Sequence, residues 1–397
     1  MSIDVKEIVL EEITVENFKT IKSITLRPKK INIFLGENSS GKTNFFKALT
    51  LFSNSFMNME ISDKDTFLEK EDKRYIAEKW EEVKPFGKRV DYGKVEFCLR
   101  EKEDIFKCSG KFLYTDFGLL EFEYSLPILK ISGNIKNFKS SLILNNEHFG
   151  EKKEKKHLFL FKNEIIQSLQ DKHHFLTFLD KIQPLEPDPH LIVKGLTFIK
   201  KWIDTPYYYD VNIGTLLDFL KDQHPKQYIK LLEEFESEEG FSIIKKESFK
   251  FKKDGQYNSP LVLSHGSLRY LLWLVIKYLP DNYLPYILLI EEIENGIHRN
   301  KIKQIMDIIY ELATERNRYF FITTHSELWL DIINRYLEEG IAELWIVYRD
   351  REGFTQIKAL ETLLRQKGLT YEEWVKETPS LTLGDIYKFG LIDSLIE

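Results

Sequence analysis

Cysteine is nearly missing from this chain: Cys98 and Cys108 are the only two among 397 residues. A single pair, with no histidine nearby at ligand spacing, makes no disulfide framework and a poor zinc motif, so both read as plain buried thiols in a reducing cytosol. Long apolar runs are also lacking. The longest uncharged stretches, Leu271 to Ile276 and Tyr283 to Ile290, fall well short of the roughly 20 residues that span a bilayer. The opening MSIDVKEIVLEE carries acids where a secretory signal needs an apolar core. These absences predict a cytoplasmic protein with no membrane segment. Charge of one sign is not in excess either. A formal net charge of −6 argues neither for nor against nucleic acid, because a mildly acidic average can hide a local basic groove. Repeats and low-complexity tracts are absent. What remains is a globular composition, 43% hydrophobic, long enough for two or three domains.

The most informative segment is Gly36-Glu37-Asn38-Ser39-Ser40-Gly41-Lys42-Thr43, set behind the apolar run Ile31 to Leu35 and ahead of Asn44 to Leu49. Strand, glycine-flanked loop and helix make a complete phosphate-binding loop. Its glycines let the backbone curl so that successive N–H groups and the helix start point at phosphates. Lys42 reaches the β and γ oxygens, and Thr43 offers a hydroxyl to Mg²⁺. The ligand this predicts is a nucleoside triphosphate, with Asn44 at the edge of the site.

A second block lies near the other end. Leu263-Ser264-His265-Gly266-Ser267-Leu268-Arg269 opens a helical stretch, and the run Tyr286 to Ile290 reads as a buried strand ending in Glu291-Glu292. A helix over Arg299 to Thr314 follows, then an apolar strand, Tyr319 to Ile322, ending in Thr323-Thr324-His325-Ser326. In a parallel sheet the carboxyl ends of strands line the ligand crevice. Glu291 is thus placed to meet a metal shell, Glu292 to orient or deprotonate water, and His325 to sense the γ-phosphate. Each piece alone has an ordinary reading as helix cap, solvated carboxylates or capping histidine. Their order and spacing after the phosphate loop argue for a shared purpose.

Taken together, these residues resemble the ABC-type ATPases of the SMC/RecF group, and more narrowly the ATPase head of the overcoming-lysogenization-defect (OLD) proteins. At the front, Ile13 to Lys22 is similar to the family's first strand and its asparagine–phenylalanine turn. At the back, Ser264, His265 and Gly266 resemble the signature motif, Leu288 to Glu292 the Walker B strand, Glu294, Asn295 and Gly296 the D-loop, and His325 the switch histidine. Leu383 to Ile392 looks like a tail seen in the group. The resemblance implies an α/β P-loop NTPase of ABC/SMC-head type, with a mixed central sheet, flanking helices, an antiparallel β lobe and a helical insertion. It departs from transporter cassettes in placing His265 where glycine is usual, and from many relatives in using Glu291 in place of aspartate. No glutamine fills the Q-loop role.

About half of the chain separates Lys42 from Ser264. The expected division is an N-terminal lobe over 1–145, a mainly helical arm or lid over 146–254 and a C-terminal lobe over 255–397. Alternation in Lys94 to Arg100, Lys111 to Tyr114 and Leu119 to Leu126 predicts antiparallel strands. Helices are expected over Leu158 to Leu169, Phe175 to Ile182, His190 to Ile203 and Ile213 to Phe235, without the heptads of a long coiled coil. The run Gly150 to His157 reads as a solvated loop because two acids interrupt it, and His173-His174 as exposed.

A signature motif in this family contacts the nucleotide held by a second head, so the resemblance implies an ATP-sandwiched homodimer with Mg²⁺, open to higher assembly. OLD proteins carry a nuclease domain after the head. The residues following His325 hold no comparable acidic cluster, which implies a separate nuclease or toxin effector in DNA-linked or antiviral processes. DNA binding is left open. Two other classes fit the phosphate loop: the nucleotide-binding subunit of a membrane transporter, and a nucleotide-locked scaffold with little turnover.

Overall fold

The structure is a computed structural model that describes residues 8–57, 92–101, 104–115, 118–125, 129–134, 139–144, 147–152, 209–245, 249–253, 256–258, 264–281, 284, 286–294, 297–377 and 381–396. The expected helices between 158 and 203, His173-His174 and the D-loop residues Asn295 and Gly296 lie outside them. Two compact units divide the chain, the first drawn from Met1–Pro28, Phe34–Leu179 and Trp345–Gln366, the second from Lys29–Ile33, Asp180–Leu344 and Lys367–Glu397.

The first unit holds an antiparallel sheet of eight strands, ordered β2-β1-β4-β5-β6-β7-β8-β9. Its strands are β1 (Ile8–Phe18), β2 (Ile21–Leu26), β4 (Tyr92–Glu101), β5 (Asp104–Thr115), β6 (Gly118–Ser125), β7 (Leu129–Asn134), β8 (Lys139–Leu144) and β9 (Glu147–Lys152). The alternation seen in the sequence over 94–100, 111–114 and, as far as Ser125, 119–126 is thus realised as neighbouring antiparallel strands, with Val95, Phe97 and Leu99 buried on one face. Asn17 and Lys19 take positive φ, 53° and 50°, which turns β1 sharply into β2. Gly150, Glu151 and Lys152 belong to β9, paired with Leu142, Ser141 and Ser140. These first three residues of the run Gly150 to His157 are therefore strand and not loop, because cross-strand pairing satisfies their backbone, while the rest of the run lies outside the described residues. The free thiol of Cys98 is half-buried, and its surroundings push its pKa up by desolvation.

The same unit also takes the end of β3 (Ile31–Leu35), helix α1 (Lys42–Met57) and, from Trp345 onward, a hairpin of β15 (Ala342–Arg349) and β16 (Thr355–Ala359). Every residue of β3 is buried, the mark of a strand covered on both faces. Phe34 stacks on Phe45 at 5.6 Å and meets Phe46 edge-on at 5.4 Å. Burial of each ring is worth about 2 kcal/mol. This aromatic cluster seats α1 on the strand that feeds the phosphate loop.

In the second unit β13 (Ile287–Ile290) runs parallel to β14 (Tyr319–Thr323), register Ile287↔Tyr319 to Ile290↔Ile322. The amphipathic helix α5 (Arg299–Thr314) connects them and buries Ile302, Ile305, Met306 and Ile309. Asn32, fully buried, is satisfied by donating to the carbonyls of Lys29 at 2.7 Å and Phe320 at 3.2 Å. The helix expected over Ile213 to Phe235 is two helices, α2 (Tyr209–Gln223) and α3 (Pro225–Glu239). Pro225 lacks the N–H an unbroken helix would use, and its ring excludes the preceding turn, so it starts a new helix at its N1 position. Helix α4 (His265–Tyr278), α6 (Glu327–Glu338) and a three-stranded sheet of β10 (Ser242–Lys245), β11 (Phe249–Lys253) and β12 (Gln256–Asn258) complete its larger parts. Helix α7 (Leu360–Gln366) belongs to the first unit, while α8 (Tyr371–Glu377) and α9 (Leu383–Lys388) close the second. Among the described residues no helix is long and apolar enough to cross a membrane.

Candidate nucleotide site

The phosphate loop sits where β3 ends and α1 begins. Its curl is enforced by Ser39 at φ 72° and Gly41 at φ 108°, values that reverse the chain within two residues. Ser40 N–H closes the turn onto the Glu37 carbonyl at 3.2 Å, and the N–H groups of Asn44 and Phe45 donate to the Gly41 carbonyl at 3.0 and 3.3 Å. Glu37, Asn38 and Ser39 form the exposed crest. Lys42 is buried, and its ammonium donates to the carbonyls of Gly36 at 2.5 Å and Glu37 at 2.9 Å. Those carbonyls hold the cation beneath the loop, where phosphate oxygens would replace them as partners. Ser40 Oγ is enclosed without a hydrogen-bond partner.

Close packing explains both glycines. A Cβ on Gly36 would lie 2.1 Å from the Val347 carbonyl oxygen, and one on Gly41 would lie 2.0 Å from Thr355 Oγ1. The neighbours responsible, β15 and β16, also bind the loop directly. Arg349 donates from Nε at 2.9 Å and Nη2 at 2.8 Å to the Ser39 carbonyl. Thr355 Oγ1 donates to the Ser40 carbonyl at 3.0 Å and lies 2.7 Å from Thr20 Oγ1, which accepts from Asn44 Nδ2 at 2.8 Å. Asn44, expected to touch nucleotide, thus also ties the helix start to the turn between β1 and β2. Thr20 lies in the motif over Ile13 to Lys22, but its link to the loop through Thr355, 335 positions away, and the roles of Arg349 and Thr355 leave no local pattern for motif reading to find.

In the second unit the parallel pairing of β13 and β14 gathers the carboxylates and the histidine at the strands' carboxyl ends. Glu292 N–H donates to Thr323 Oγ1 at 2.8 Å, Ile293 N–H to the Thr323 carbonyl at 3.2 Å, and His325 N–H to Glu294 Oε1 at 2.5 Å. Glu292 takes φ 49°, a left-handed backbone uncommon for a side chain with a Cβ. Glu291 Oε1 and Glu294 Oε2 are enclosed and lack hydrogen-bond partners. An orphaned carboxylate oxygen fits a hard divalent cation, so the donor chemistry of Glu291 suits Mg²⁺. In the same unit Ser264 is the exposed N-cap of α4, its hydroxyl accepting from Ser267 N–H at 3.0 Å. His265 and Gly266 form the first turn of that helix.

Residues 118–331, more than half of the chain, match the family described as "AAA domain, putative AbiEii toxin, Type IV TA system". Residues 8–80 match a second family, described as a protein of unknown function. No curated protein matches. Among solved structures the chain is similar to an Smc head bound to the C-winged helix domain of ScpA, with TM-score 0.50, 14% identity, and 91% of this chain and 98% of that one covered. It also aligns with the SMC head domain from Thermotoga maritima, TM-score 0.41, 13% identity, 88% and 98% covered. A third match is the Smc head from Pyrococcus furiosus with an extended coiled coil, bound to the C-terminal domain of ScpA, TM-score 0.45, 14% identity, 94% and 99% covered. The first of these gives the fold, that of an SMC head with mixed α/β sheets and flanking helices, as expected from the motifs.

Proposed function

The chain belongs to the AAA-domain family that it matches, and from that premise we propose that it binds ATP at Gly36 to Thr43 and hydrolyses it as a switch. The phosphate loop carries this reading: a buried Lys42, donating to the Gly36 and Glu37 carbonyls, beneath a backbone curled by Ser39 and Gly41. Lys42 would neutralise the β and γ oxygens. Mg²⁺, held by Thr43 and Glu291, would add charge stabilisation for the transferring phosphoryl group. Glu292 would orient or deprotonate the attacking water, and His325 would donate to the γ-phosphate.

The signature residues Ser264, His265 and Gly266 would act on ATP held by a second copy of the chain, giving a sandwiched homodimer with two sites and the D-loop residues Glu294, Asn295 and Gly296 along the seam. Exposure of the Ser264 cap supports this, since a serine at an outward helix start can serve a partner's phosphate. The functional division would follow the order of motifs: 1–145 binding the phosphates, 146–254 receiving the trigger and 255–397 supplying hydrolysis. A separate nuclease or toxin effector under its control, in antiviral defence within the cytoplasm, is the biological role that the OLD-like motifs support. The word toxin in the family's description favours the same setting. DNA or a phage product would be the signal.

ATPase rates of the purified protein, alone and with linear double-stranded, single-stranded or closed circular DNA, test the proposal. Glu292→Gln should cut turnover by roughly 10²–10⁴-fold with ATP binding intact. Equal turnover in that variant would sink the catalytic assignment. Stimulation by one DNA form would identify the trigger, whereas indifference to all of them would move it to a protein.

A further inference from the structure

The β15–β16 hairpin holds two consecutive carbonyls of the phosphate loop from outside. Arg349, at the end of β15, forks onto the Ser39 carbonyl, and Thr355, the first residue of β16, donates to the Ser40 carbonyl. In a trans peptide the carbonyl of one residue and the N–H of the next point in opposite directions. Pinning the Ser39 carbonyl therefore aims Ser40 N–H across the loop, where it meets the Glu37 carbonyl. Pinning the Ser40 carbonyl aims Gly41 N–H away from the hairpin. With Ser40 N–H closing that turn, a loop curled this way has the concave form of a backbone nest that receives an anion.

The hairpin is itself braced. Asp350 Oδ1 accepts from the N–H groups of Glu352 at 3.0 Å and Phe354 at 2.9 Å, its Oδ2 accepts from Gln356 Nε2 at 2.8 Å, and Arg349 Nη1 donates to the Gly353 carbonyl at 2.9 Å. Thr355 N–H donates to the Thr20 carbonyl at 2.7 Å, and the Thr355 hydroxyl lies between Thr20 Oγ1 and the loop. Both partners of that hydroxyl belong to buried residues, and although Thr20 Oγ1 keeps its bond from Asn44, removing the hydroxyl takes this donor from the Ser40 carbonyl.

We propose that Thr355 and Arg349 are positioning residues for triphosphate binding: they set the direction of the Ser40 and Gly41 N–H groups and so make the hairpin part of the nucleotide site. This rests on the loop being the ATP site. The experiment measures Kd for ATP with Mg²⁺, together with KM and kcat, in the full chain and four variants. Thr355→Val, which keeps the shape and removes the hydroxyl, is expected to raise Kd and KM about 10-fold with kcat within about 2-fold of the parent. Thr355→Ser should restore the parent values, a rescue that loss of packing alone would not give. Arg349→Gln, at an exposed position that tolerates change, should raise KM about 3-fold and decides the matter if Thr355→Val does not fold. Lys42→Ala should abolish binding. Parent-like Kd in both Thr355→Val and Arg349→Gln, with Lys42→Ala inactive, would overturn the hairpin role and leave the ATP site standing. Binding unaffected by Lys42→Ala would instead overturn the site on which it rests.

Discussion

Single residues of the loop are fixed by backbone geometry more than by side-chain chemistry. Gly41→Ala would force a Cβ into φ 108° and onto Thr355 Oγ1, at a cost of about 1–3 kcal/mol. The loop should open, and the rise in Tm on adding ATP should vanish while the nucleotide-free protein still melts cooperatively. Elsewhere, Lys30 donates to Asn317 Oδ1 and lies 3.9 Å from the centre of the Tyr319 ring. Burial, then the nearby Arg318 guanidinium, lowers its pKa to about 8. Between about pH 8 and the ordinary lysine value, the unfolded chain holds a proton that the folded chain has shed, so stability rises with pH across that window and the penalty is fully present below it. Urea midpoints should therefore climb from pH 8 to 9.5, and Lys30→Met should flatten the climb. The strand-end acids and the loop were legible in the sequence because their chemistry demands fixed spacing. Arg349 and Thr355 were not, because a hydrogen bond between distant strands leaves no local pattern.

Elements followed periodicity wherever burial was one-sided or complete. The sequence delimits the helix over Arg299–Thr314 correctly, since a continuous apolar stripe and flanking turns define it. It ran across Pro225 because the apolar positions stay in phase on both sides, and the missing N–H decided the outcome. The tail segment acquires a physical role as an element. Thr382 and Asp385 form a reciprocal cap for α9, and Gly384 N–H donates to Asp331 Oδ1 of α6 at 2.7 Å. A Cβ there would lie 2.6 Å from the Glu327 carbonyl. Gly384→Ala should push α9 off α6 at a cost of about 1–3 kcal/mol. Faster amide exchange over 381–396, with β13 and β14 still protected, is the expected readout, and unchanged exchange would rule out this docking.

At the scale of the whole molecule, the proposed sandwich predicts that ATP drives dimer formation in Glu292→Gln and that adding Ser264→Arg keeps the chain monomeric. Light scattering with and without ATP measures both, and a dimer surviving in the double variant would exclude the signature as the seam. The backbone at Glu292 carries a last consequence. A left-handed φ of 49° costs a residue of this kind about 1 kcal/mol that asparagine or glycine largely avoids. The amino acid best suited to the turn is thus not the one that the proposed water activation requires. Any search for thermostable variants of this chain should enrich Asn or Gly at 292 and return proteins that survive heat better and no longer turn over ATP, a conflict between durability and activity located at one position.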